Sequence, residues 1–159
     1  MRTRTVVGYC IAVVLLVAAA GCGLLRDSGP VEHGIQGAME GAAHDHVNVH
    51  LPHGAPPVDI GALPPTRLQI FQSRVKEIFG DDTKEDVDVV CRAKELVTAG
   101  NASSPDQAVT SVLGALGVPS PPPDRVRELA DTTRRALAAD ASPDDMARAA
   151  SAWACEWAG

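Results

Sequence analysis

The stretch "SPDQAVTSVLGALG", residues 104–117, decides the fold. Ser104 can accept a backbone hydrogen bond as a helix cap. Pro105 suits the first helical position, where a missing N–H costs nothing, and Asp106 complements the positive end of the helix dipole. Gln107 stands where a capping box places its glutamine. Behind this start, Val109, Val112, Leu113 and Leu116 recur at the spacing of one helix face. These signals agree on one amphipathic helix.

The same grammar repeats on both sides. In "SPDD", residues 142–145, Ser142 is the expected cap and Pro143 the first helical position, ahead of the stripe Met146, Ala150, Trp153 and Trp157. "PSPPPD", residues 119–124, opens a helix that turns Val126, Leu129, Ala130 and Leu137 inward. Upstream, Thr83 and Asp86 form a capping-box pattern before Val87, Val90, Cys91 and Val97, and Gly100-Asn101 ends that helix. After Pro64-Pro65, the face of Leu68, Phe71, Val75, Ile78 and Phe79 marks a further helix stopped at Gly80. No part of this region alternates as a strand does. The expected fold is all-α, a compact bundle of about five short helices over residues 64–159. Trp153 and Trp157 lie one turn apart on one ridge, expected to pack in the core, the alternative being an exposed partner surface.

Chemistry is sparse in this domain. It holds no histidine, no glycine-rich phosphate loop, no CxxC and no nucleophile elbow. The acidic run "DDTKEDVD", residues 81–88, lacks the central glycine of a calcium loop and reads as a helix start with its charges in water. Arg134 and Arg135 read as surface residues. Binding is therefore expected here, and catalysis is not. With 14 basic against 20 acidic residues, a net charge of −6 argues against nucleic acid, which needs a basic face. The excess of arginine over lysine, with much alanine, proline and valine, is compatible with a GC-rich bacterial or phage genome.

Residues 22–63 read as a flexible tether, rich in glycine, proline and alanine and without sustained helical period. All five histidines fall in it: His33, His44, His46, His50 and His53. In an extended chain His44, His46, Asn48 and His50 share one side, while Asp45, Val47, Val49 and Leu51 share the other. In a helix, His46 and His50 are one turn apart. Either arrangement gathers imidazoles that suit zinc or copper, with Glu40 or Asp45 able to add oxygen. A tether without metal is the competing expectation, and no cofactor is required by anything else in the chain.

The N-terminus supplies the compartment. Arg2 and Arg4 precede an uncharged apolar run over residues 6–25, and small residues lead to Cys22. Ala19-Ala20-Gly21-Cys22 resembles the lipobox of bacterial lipoproteins, although Ala19 stands where that family usually has leucine. The resemblance covers residues 1–22 alone. It implies that residues 1–21 are a signal peptide, that Cys22 is acylated, and that the rest lies outside the cytoplasmic membrane. An uncleaved spanning anchor or an ordinary secretory signal are the other readings of the same run. With Cys10 removed and Cys22 lipidated, Cys91 and Cys155 remain. In an oxidising compartment they are expected to form one disulfide, between the second and fifth helices, the alternative being two separate buried thiols.

The expected protein is a small bacterial or prophage-encoded lipoprotein, held at the cell membrane by Cys22. Its helical domain acts as an interaction module for an envelope protein or a small ligand. The alternative makes the histidine tract a zinc- or copper-capturing device at the surface.

Overall fold

The computed structural model describes residues 48–51 and 56–159. Five helices form in them: α1 (Pro65–Phe79), α2 (Lys84–Thr98), α3 (Pro105–Ala115), α4 (Pro123–Ala141) and α5 (Asp145–Ala158). A short antiparallel pair precedes them, β1 (Asn48–Val49) with β2 (Val58–Asp59), in which Val49 lies opposite Val58. The fold is the all-α bundle that the helical periodicities predict.

Local chemistry sets most helix starts. Thr83 accepts a hydrogen bond from the Asp86 amide at 3.2 Å, and the Asp86 carboxylate accepts from the Thr83 amide at 3.2 Å, which completes a capping box. Ser104 caps α3 through the Gln107 amide at 3.2 Å, with Pro105 at the first turn. Gln107 itself reaches one residue further back than a capping box requires, accepting from the Ser103 amide at 2.9 Å. The start of α5 departs from the expected one. Asp144, not Ser142, is the cap and accepts from the Met146 and Ala147 amides. The reason is steric sequence economy: α4 runs to Ala141, so Ser142 already closes that helix, and its hydroxyl accepts from the Asp144 amide at 3.1 Å.

The helices bury one continuous core. Phe71, Val75 and Phe79 of α1, Val87 and Val90 of α2, Val109 of α3, Leu129 of α4 and Trp153 of α5 are almost wholly removed from water. Helix α1 packs on α4 and α5, while α2 packs on α3, α4 and α5. Trp153 takes the expected core position, meeting Phe71 edge-on with ring centroids 5.7 Å apart. Trp157 is half-buried and stacks on Trp153 at 6.1 Å. Edge-on and offset rings add to simple burial because the ring edge is positive and its face negative.

Apolar side chains from the stretch read as tether also enter this core. Val49, Leu51 and Ile60 are buried, and β1 packs against α5. Asn48 and His50 alternate with them on the exposed side, as an extended chain requires. The two sides named for an extended chain are seen over residues 48–51, but strands of two residues are too short for that alternation to mark them as part of the core.

Candidate functional site

The most exposed apolar surface of the bundle is made where α3 ends. Leu116 follows the last residue of α3, and Gly117 turns the chain with φ 87°. The Val118 amide then donates to the Leu113 carbonyl at 2.9 Å and the Gly117 amide to Gly114 at 3.1 Å. This is the hydrogen-bond pattern of a Schellman motif, and it needs a residue able to adopt the left-handed region. The turn leaves Leu116 50% and Val118 40% exposed. Leu116, which keeps the spacing of the apolar stripe, thus faces solvent at the C-cap of α3. Helix α2 stops in the same way: Gly100 has φ 72°, and the Asn101 amide donates to the Leu96 carbonyl at 2.8 Å.

Between these two turns, α2 and α3 present a grooved face. Two concavities, of about 470 Å³ and about 510 Å³, meet at Arg92 and Leu116, which line both. Leu96, Val112 and Ala115 lie in the first; Val89, Leu113 and Val118 lie in the second. Volumes of this size suit apolar anchors from a ligand or partner. Polar groups form the rim. Arg92 donates from Nε to Asp88 at 2.9 Å, and the Lys84 ammonium sits 5.8 Å above the Trp157 ring. Hydrogen bonding to Asp88 raises the Arg92 pKa further, so the guanidinium stays charged.

The two cysteines of the helical domain are joined. Cys91 of α2 and Cys155 of α5 form a disulfide, with Cα atoms 5.5 Å apart. Cys91 belongs to the buried side of α2, so the bond fixes that helix from behind the grooved face. Of the residues read as metal ligands, His50 is exposed beyond β1. His44, His46 and His53 lie outside the described residues, as does Cys22. Among the described residues no cluster of three His, Cys, Asp or Glu side chains is arranged for a metal ion. No described helix is long and apolar enough to cross a membrane.

Two polar features of the interior escaped the sequence reading. Lys94 pairs with Asp140 at 2.9 Å and donates to Ser151 Oγ at 3.2 Å, tying α2 to α4 and α5. Serine beside lysine is a nucleophile–base combination, but here Ser151 is 0% exposed and the lysine is engaged by the Asp140 carboxylate. The cluster acts as a polar pin. Its members lie far apart in the chain, so no spacing could reveal them.

Asp82 is the second feature. It was expected on a solvated acidic face, yet it is 7% exposed at the α1–α2 turn, and its Oδ2 has no hydrogen-bond partner. Burial pushes its pKa from 3.8 up to about 6, and Asp86 and Glu128 add to the rise. Thr132 and Arg135 oppose it. Arg135, read as a plain surface residue, donates to the Ile78 carbonyl and to Thr132 Oγ1, each at 2.7 Å. It closes the end of α1 against α4. Of the other acids of the run, Asp81 and Glu85 are exposed as expected, whereas half-buried Asp86 pairs with Arg125.

No protein-family model, curated protein or solved structure matches the chain. The chemistry of the grooved face and of the disulfide thus carries the functional reading.

Proposed function

We propose that this chain is an exported, lipid-anchored binding module. Cys22 holds it to the outer face of a bacterial cytoplasmic membrane, and the α2–α3 face meets a partner in the envelope. The observation that carries the reading is the Cys91–Cys155 bond. Disulfides persist outside the reducing cytoplasm, and here the bond accompanies a basic, apolar and small-residue N-terminal pattern ending in a cysteine. Both features call for the same compartment from independent residues. The exposed Leu116 and Val118 beside two concavities are the surface on which an interaction module would act.

Metabolic labelling with a fatty acid tests the anchoring. The wild-type chain should incorporate label into the membrane fraction, and a Cys22→Ala variant should not. Labelling that survives Cys22→Ala would overturn the assignment of the acylated residue. A wild-type chain that takes up no label would overturn the anchor itself.

A further inference from the structure

The rim charges of the grooved face select a partner. Glu85 lies beside one concavity and Glu95 beside the other. They are ten positions apart on α2, a rise of roughly 15 Å. The two bases of the same rim are already engaged, Lys84 by the Trp157 ring and Arg92 by Asp88. Glu95 also interacts with Arg92, which it shares with Asp88, so the apolar face keeps a net acidic rim: Glu85, Asp88 and Glu95 against Lys84 and Arg92.

We infer that the α2–α3 face receives an amphipathic helix of a partner protein, whose apolar stripe fills the groove and whose basic residues meet Glu85 and Glu95. The fit is dimensional as well as electrostatic. A helix lying along α2 would place basic residues about ten positions apart over the two acids, with side chains at i, i+3, i+4 and i+7 entering the groove. A second copy of this chain fits less well. It would bring the same two acids to the contact, while its own rim bases are occupied, and like charges across an interface cost affinity. An anionic bilayer is disfavoured for the same reason. This inference rests on the reading of the chain as a binding module.

The test uses the full mature chain in phosphatidylcholine nanodiscs, with empty nanodiscs as blank. The probe is a fluorescent synthetic helix with a leucine stripe at i, i+3, i+4 and i+7 and two lysines ten positions apart. A second peptide carries glutamate in place of both lysines. The lysine peptide should bind at least ten-fold more tightly than the glutamate peptide. Leu116→Ser, and the double change Glu85→Gln with Glu95→Gln, should each weaken it about ten-fold while the helical circular dichroism is retained. Equal binding of both peptides, or binding indifferent to these variants, would overturn the inference. So would self-association abolished by Leu116→Ser, since the face would then belong to a second copy. Fatty-acid label on the same preparations separates the two readings. Label without peptide binding removes only the proposed partner, whereas binding without label removes only the anchor.

Discussion

Cys91 and Cys155 join α2 to α5 across 64 residues of sequence. The bond closes a long loop in a domain whose core has few aromatic side chains and many small ones. In the chain-entropy account, a loop of that length restrains the unfolded ensemble by roughly 4 kcal/mol, and measured values commonly fall between about 2 and 4 kcal/mol. Reduction, or the paired change Cys91→Ala with Cys155→Ala, should lower stability by that amount in denaturant titration. An unchanged midpoint with and without reductant would show that the bond does not restrain the fold.

Asp82 gives the domain a pH dependence of definite sign. Its carboxyl titrates near 6 in the fold, against 3.8 for the ordinary group, so the folded state binds the proton more tightly than the unfolded one. The resulting stabilisation is fully present below about pH 4 and is lost as pH rises through about 6. Asp82→Asn removes the buried charge without changing the shape. The variant should be more stable than wild type by roughly 2 kcal/mol at pH 7, and the gain should vanish near pH 4. A gain that is the same at both values would assign the effect to packing instead of charge.

The pin of Lys94, Asp140 and Ser151 makes a prediction about pairs. The Lys94 and Asp140 side chains are 13% and 26% exposed, so each depends on the other to offset lost hydration. Asp140→Ala should cost about 2 kcal/mol or more, because it strands a largely buried ammonium. Adding Lys94→Met should recover part of that loss. Strict additivity of the two changes in a double-mutant cycle would mean that the pair is not coupled.

At the rim of the groove the expectation reverses. Leu116 is half in water, so Leu116→Ser should change stability by less than about 0.5 kcal/mol. Gly117→Ala is different. Its Cβ would meet nothing within 4 Å, yet the backbone has φ 87°, so the cost is conformational, about 1 kcal/mol. Thermal melts of the two variants should therefore rank Gly117→Ala below Leu116→Ser. The opposite order would place Leu116 in the core.

What the sequence disclosed and what it hid follow from range. The caps at Thr83 and Ser104 were legible because every group involved lies within a few residues. Asp144 caps α5 in place of the expected Ser142 because α4 runs to Ala141 and Ser142 closes it, a length that local residue types do not set. The inward faces around Phe71, Val90 and Leu129 were readable from period alone. The groove was not. Leu116 keeps the period of its stripe, yet it stands at the C-cap of α3 with half its surface in water. Asp82 and the Lys94 pin were hidden for a related reason, since their surroundings come from α4 and α5, far along the chain.

Intact mass of the native protein, extracted from membranes without reductant, reads the anchor and the disulfide together. The chain should begin at Cys22, carry an N-terminal diacylglycerol, and weigh two hydrogens less than its reduced form. A chain that retains residues 1–21, or one that lacks lipid and has free thiols at Cys91 and Cys155, would contradict the reading of the chain as an exported, lipid-anchored module.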